Sequence, residues 1–265
     1  MTIPLKVFPG PPTAPGFSLV LSWERPGDLP PEYELTLLEG YNNAWRAAPE
    51  DWYLLSREEN EVLYNPPHVP QRSADLKFRV VLTGNGKRYD TPAVGIFNVL
   101  APHEFRTVRT ILSHEMTDMR GGNGHKVLLA KRKEYGDPAD SYDKDTGQIL
   151  NPGSDLSGYG ERYKGGFSRP ISTRVRFLQT QEQEVSGTGV GSHAKRVVTA
   201  RMFSFPSASP GDLLIDEETD LRYTVLDGKM PYLFRGVFPV MEDVTLEELP
   251  RSHIRYAYDP TNDTE

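Results

Sequence analysis

The run ADLKFRVVLTGNGKRYDTPA places Leu76, Phe78, Val80 and Leu82 at every second position, then breaks at Gly84, Asn85 and Gly86. A two-residue apolar period marks a half-buried strand, and the break marks a turn. The same pattern recurs in FSLVLSW (17–23), which ends on Trp23, and in YELTLLE (33–39), where Tyr33, Leu35 and Leu37 alternate with polar neighbours. Prolines at 26, 30, 31, 66, 67, 70 and 92 sit between these runs, where turns and sheet edges tolerate them. With 23 Pro and 23 Gly in 265 residues, the chain is punctuated too often for a helix bundle. Residues 1–100 predict six or seven short strands and hence a β-sandwich.

One segment breaks the β pattern. In PHEFRTVRTILSHEMTDMR (102–120), Phe105, Val108, Ile111/Leu112, Glu115/Met116 and Met119 recur three or four apart. That spacing predicts an amphipathic helix opened by Pro102 and stopped by Gly121-Gly122. Beyond it, HKVLLAKRKEYG, PISTRVRFLQTQ, KRVVTARMFSFP, DLLIDEETDLRYTVLDGKM and YLFRGVFPVMEDVTLEELP each read as strand or hairpin. Asp212 and Asp216 stand at the polar tips of DLLIDEE. The expected organisation is mainly β: a sandwich over 1–100, a linking helix over 101–122, and a β-barrel or small sandwich over 123–265. The last unit would carry two extended loops, 142–167 and the Gly/Ser-rich 182–192.

The first of these loops, YDKDTGQILNPGSDLSGYGERYKGGF, has the outline of a metal site. Counted from Asp143, a calcium loop would need an oxygen ligand at Gly147, glycine at Gln148 and glutamate at Ser154, so an Asp/Gly hairpin tip is expected instead. The chain has no cysteine, which removes disulfides, thiolate zinc sites and thiol catalysis. GGNGHK (121–126) lacks phosphate-loop spacing, and the Gly187, Gly189, Gly191 run lacks the strand and helix of a dinucleotide site. The six His are scattered singly, and no G-x-S-x-G elbow occurs. Clustered carboxylates such as Asp216, Glu217 and Glu218 read as solvated turns. No enzyme, cofactor or metal is expected from these residues. No apolar run is long enough to span a membrane, and the start MTIPLKVFPGPP has no secretory core.

Net charge is −7, which disfavours bulk attraction to nucleic acid or anionic membrane. The distribution is uneven: 162–201 carries eight Lys/Arg against two Asp/Glu, and 202–265 carries five against thirteen. Two solvated faces, or a complementary contact between neighbouring copies, would both account for it.

Two family resemblances follow. LSWERPGDLPPEYELTL and LKFRVVLTGNGKRYDTPA resemble the Trp strand, the Tyr-x-Leu strand and the Tyr-x-Phe-Arg-Val strand of fibronectin type III domains, with Leu76 standing where that family places its corner tyrosine. The second half is similar to neck, or head-to-tail connector, virion proteins of contractile-tailed bacteriophages. The match runs through Lys131-Arg132-Lys133, Tyr135-Gly136, Tyr142-Asp143 with Thr146-Gly147, Tyr159-Gly160, Gly165-Gly166-Phe167 and Pro170-Ile171. It resumes in GDLLIDEETDLRY and LEELPRSHI. That family carries two Cys-x-x-Cys pairs for zinc. Here Asp137, Pro138, Asp140 and Ser141 stand at one pair and Ser154, Asp155, Leu156 and Ser157 at the other.

The resemblance implies a structural subunit of a homo-oligomeric ring, six- or twelve-fold, joining the portal or connector to the tail-terminator or other neck proteins. It would sit in the virion neck after assembly in the host cytoplasm, with no membrane partner and DNA contact only in the channel. The loops would order on contact. Interaction residues expected on this basis are Tyr142, Asp143, Tyr159, Tyr163, Phe167, Arg162, Arg169, Arg174, Arg176, Lys195 and Arg196. The alternative is a glycan- or receptor-binding sandwich module, with Trp45, Trp52 and Tyr53 as a stacking platform or, more simply, as a loop packed over the sandwich edge.

Overall fold

A computed structural model describes residues 3–11, 17–41, 44–57, 59–66, 75–185, 193–234 and 238–261. Pro67, His68, Pro70 and the Gly187 to Gly191 run lie outside them. The chain divides into two compact units, Met1–Thr117 and Asp118–Glu265.

The first unit contains β1 (Leu5–Pro9), β2 (Leu19–Trp23), β3 (Glu34–Tyr41), β4 (Ala44–Ala47), β5 (Tyr53–Ser56), β6 (Glu61–Tyr64), β7 (Lys77–Gly84), β8 (Lys87–Asp90) and β9 (Val94–Gly95). They form two antiparallel sheets, ordered β1-β2-β6-β5 and β4-β3-β7-β8, with β9 also on β7. Leu19, Leu21, Val62 and Tyr64 from one sheet and Leu37, Phe78, Val80 and Leu82 from the other are buried. Tyr64 meets Phe78 edge-on, ring centres 5.1 Å apart.

The alternation that buries Tyr33 and Leu37 also carries Glu39 inward, to 4 % exposure. A buried carboxylate needs donors. The Tyr64 hydroxyl donates to one of its oxygens and Arg46 Nε to the other. Burial, then the Glu39 contact, pushes the Tyr64 hydroxyl well above its ordinary pKa.

The expected helix is α1 (Pro102–Asp118), burying Phe105, Val108 and Leu112. Ala101 N–H donates to Glu104 Oε2 at 2.9 Å, and Pro102 takes the first helical position. The helical path widens over Met119–Asn123 and ends where Gly122 adopts φ +112°, as the glycine pair predicts.

The second unit is a closed antiparallel barrel. Its strands are β10 (His125–Ala130), β13 (Ile171–Val185), β14 (His193–Phe203), β15 (Leu213–Asp216), β16 (Arg222–Phe234) and β17 (Phe238–Glu248), and β11 (Tyr142–Asp143) with β12 (Gln148–Ile149) make a small hairpin between the first two. The circuit runs β10-β13-β14-β17-β16-β15 and closes because β15 pairs back onto β10. Val127, Leu129, Val175, Val198, Ala200, Met202, Leu214, Val225, Val244 and Leu246 fill the interior. The barrel is therefore a packed core and not a pore.

Two expectations change. Residues 182–185 are strand and not loop, because β13 stays in register with β14 up to the Val185–His193 pair. Asp212 and Asp216 are buried, 2 % and 1 % exposed, and do not face solvent as turn carboxylates. Asp216 accepts the Glu218 N–H at 3.0 Å and meets His125 Nδ1 at 3.1 Å, so its buried carboxylate is not left without partners.

Tyr64→Phe removes one of the two donors held on buried Glu39, so it should cost the first unit about 1–3 kcal/mol. All three Trp (23, 45 and 52) lie in this unit. Urea unfolding followed by Trp fluorescence should therefore show an earlier midpoint, and an unchanged midpoint would refute the inter-sheet role of this bond.

Candidate functional site

β10 reads VLLA and β15 reads LLID because both strands are buried on two faces. Val127, Leu129 and Leu214 point into the barrel, while Ala130, Leu213 and Ile215 belong to a second cluster with Phe167, Leu249 and Tyr258. That outer cluster is covered by the segment 131–168 and by the chain after β17.

The covering segment is rooted in a buried ion pair. Lys131 Nζ donates to Asp212 Oδ2 at 2.6 Å, to the Ser207 carbonyl at 2.7 Å and to Ser209 Oγ at 3.3 Å, and Lys131 and Asp212 are each 2 % exposed. The Asp212 carboxylate also takes the N–H groups of Arg132 and Ser209. Every strong donor and acceptor of the pair is thus used, the condition under which a buried ion pair is tolerated.

From this root the two legs of the segment zip together. Ser168 N–H donates to the Lys131 carbonyl, Lys133 to Gly166, Lys164 to Asp137 and Ala139 to Arg162, all at 2.8–3.0 Å. Between the legs, Tyr142 pairs with Ile149 and Asp143 with Gln148. Asp143 accepts Asp145 N–H at 2.9 Å and Thr146 Oγ at 2.7 Å, and Gly147 turns at φ +69°. These bonds, led by Thr146, hold the Asp143 carboxyl below its usual range. This is the expected hairpin tip, with the carboxylate spent on its own turn.

The stretches 137–141 and 154–157 are joined by one carboxylate. Asp155 accepts Ser141 Oγ and Ser141 N–H (3.3 Å) on one side, and Ser157 Oγ (2.6 Å) and Ser157 N–H (2.8 Å) on the other. Ser157 Oγ in turn accepts the Asp140 N–H at 2.9 Å. Burial pushes the Asp155 carboxyl up, but the Ser141 and Ser157 bonds outweigh it and hold the pKa at about 2. Zinc does not fit here, because the donors are one committed carboxylate and two serine hydroxyls, while Asp140 pairs outward with Lys164. Among the described residues, no three His, Cys, Asp or Glu converge as a metal-binding group.

The knot is tight enough to dictate glycine. A Cβ on Gly158 would lie 2.6 Å from both Ala139 Cβ and the Glu161 carbonyl, and Gly166 sits at φ +65° with a Cβ position 2.6 Å from the Gly158 carbonyl. The short helical turn Ile254–Ala257 and Tyr258 after it then clamp the segment. Arg255 binds Glu161 and Thr224 Oγ and lies 5.6 Å over the Phe167 ring. Tyr258 packs edge-on against Tyr159 and Phe167. Arg222 Nη1 holds the Arg255 carbonyl (2.5 Å) and the Tyr258 carbonyl (2.8 Å). Glu161 is buried beside this clamp, and its burial raises the carboxyl against the pull of Arg255 and Arg132.

The sequence-derived interaction residues separate into groups. Phe167 is core, 3 % exposed. Tyr159 is held by Tyr258, and half-buried Tyr142 and Tyr163 face each other at 6.2 Å. Arg174 donates to the Met119 and Gly124 carbonyls, and Arg176 pairs with Asp118 at 2.5 Å. Arg196 pairs with Glu248 at 3.0 Å, as Arg201 does with Asp243 at 2.7 Å, so adjacent β14 and β17 satisfy part of the basic–acidic asymmetry inside the chain. Arg162 and Arg169 are exposed. Lys195 is placed by its backbone only, opposite Gln183.

Sequence reasoning missed Asp155, Glu161 and Arg255, and also Leu150 and Leu156, which stand 54 % and 62 % exposed. In the first unit, Trp45 is pressed on Gly40 with Arg79 4.9 Å from its ring, and Arg46 lies 5.6 Å from Trp52. Trp45 on edge strand β4 stays 37 % exposed and Trp52, just before β5, is half-buried, each beside one of the chain's own cations.

No protein-family model matches the chain, and neither does any curated protein.

Asp155 has its pKa lowered on folding, so its stabilisation is fully present above about pH 4 and is lost as pH falls toward 2. The stability gap between wild type and Asp155→Asn, followed by far-UV circular dichroism, should be widest above pH 4 and close near pH 2. A gap independent of pH would contradict the knot.

Proposed function

We propose that this chain is a structural subunit of a tailed-phage neck or head-to-tail interface, acting through geometry as part of an oligomeric ring and not through catalysis. The observation that carries the reading is the segment 131–168. It is fixed by backbone rungs, the Asp155 knot and the Arg255 clamp, yet it presents Leu150 and Leu156, the two most exposed large apolar side chains among the described residues. A pre-organised loop with apolar tips loses little conformational entropy on docking, and exposed apolar residues on a rigid support favour a protein partner.

The strand orders add support. β1-β2-β6-β5 and β4-β3-β7-β8 correspond to the A-B-E-D and C′-C-F-G arrangement of immunoglobulin-like sandwiches, so we read the first unit as fibronectin type III-like with Leu76 in place of the corner tyrosine. The filled barrel interior bears on the ring as well. A passage for DNA would have to lie between copies, on their outer surfaces, and not through a subunit.

Native mass spectrometry of the full chain, alone and with isolated connector, tests the proposal. Wild type should form a discrete ring or join the connector. Leu150→Asp with Leu156→Asp should weaken that association at least about tenfold without lowering the unfolding midpoint, since both side chains are exposed. A persistent monomer that ignores connector and is retained on glycan resin would overturn the proposal.

A further inference from the structure

Two β-ribbons run past the barrel wall. On β13, pairing with β10 stops at Val175, and on β14, pairing with β17 stops at Val197. The rungs from Glu182–Arg196 to Val185–His193 therefore form a two-stranded ribbon with no third strand on either edge among the described residues. On β16, pairing with β15 stops at Thr224, and β14 leaves β17 at Met241, so a second ribbon runs on toward Phe234 and Phe238. In the β14–β17 ladder Val197 faces Glu247 and Phe203 faces Met241, which places the two ribbons at opposite ends of the barrel.

The two are built differently. The β16–β17 ribbon contains Pro231 and Pro239 and shifts register three times. Prolines and bulges are the devices that keep an exposed edge from pairing. Past its single irregularity at Phe177/Gln179, the β13–β14 ribbon has neither, and its ladder is continuous to Val185. An isolated two-stranded ribbon is marginal in water and gains from a third strand. The two strands of this unguarded ribbon also differ in charge: β13 brings Glu182 and Glu184, and β14 brings Lys195 next to Arg196, which already pairs with Glu248 of the same chain. One edge complements the other and neither complements itself.

We infer that the β13 edge of one copy adds onto the β14 edge of the next, so that neighbouring ribbons form one continuous antiparallel sheet between subunits. The contact is heterologous, since an acidic edge meets a basic one, and repeated around an axis it closes a ring. This deepens the ring reading above and rests on it.

Complementary charge variants test the pairing. Glu182→Lys with Glu184→Lys makes both edges basic, and Lys195→Glu reduces the basic edge and sets an acid on it. Each variant alone should assemble roughly tenfold or more weakly than wild type in native mass spectrometry, because like charges then face each other. Mixed in equal amounts, the two should recover assemblies in which they alternate. If wild type assembles and both variants assemble equally well, the edge pairing is wrong while the ring stands. If both variants are weakened and mixing restores nothing, the pairing is likewise overturned. Wild type that stays monomeric at all concentrations removes the ring, and the pairing with it.

Discussion

The second unit depends on a seam that is apolar on both sides. β10 joins β13 to β15 and so closes the barrel, yet its residues alternate between two cores, Val127 and Leu129 inward and Leu128 and Ala130 outward. A strand buried on both faces leaves the barrel with an outer apolar wall that must be covered. The segment 131–168 and the chain end after β17 meet that requirement, and the polar contacts of the site follow from bringing their backbone down onto an apolar surface. Lys131 and Asp212 sit where the cover begins, Asp155 where its two turns cross, and Arg255 where the chain end locks over it.

This arrangement gives a physical account of how a Gly/Ser-rich loop with the outline of a metal site is held in shape by a chain that has no cysteine. A structural zinc would tie two turns through four thiolates. Here a single buried carboxylate takes four hydrogen bonds from Ser141 and Ser157, two from each turn. A carboxylate that accepts several hydrogen bonds stays ionised and forms a strong cross-link in a poorly solvated site. The two solutions differ in sensitivity: a thiolate site answers to metal and oxidation, a carboxylate knot to acid. The cover is consequently folded in the single chain, which corrects the expectation that it would order only on contact. Leu150 and Leu156 stand exposed on this formed surface.

Much of the fold was legible because period and punctuation are local. Leu76 to Leu82, the helix of Phe105, Val108 and Leu112, and the hairpin around Asp216 all sit where their spacing places them. Inward Glu39 follows from the same alternation that buries Leu37, although its partners Tyr64 and Arg46 come from other strands and cannot be read from its neighbours. The continuous apolar runs VLLA and LLI carried a signal for two-sided burial that the reading of simple strands did not use. The charge asymmetry misled in part. The basic and acidic blocks, consecutive in sequence, fold onto each other as adjacent strands, where Arg201 meets Asp243 and Arg196 meets Glu248. Asp155 was not legible as the centre of the site: its bonds from Ser157 are local, but the two from Ser141, fourteen residues earlier, arise only where the turns cross in three dimensions.

The account stands on the cover being an ordered element of the isolated chain. Amide hydrogen exchange on purified wild type at neutral pH, in excess chelator, addresses this directly. The amides of Ala139, Leu150, Glu161 and Gly165, each bonded within the segment, should exchange slowly, with protection comparable to that of β10 and β15. If they exchange as fast as an unstructured chain while the barrel strands remain protected, the knot and clamp do not hold the segment, and its reading as a formed assembly surface fails.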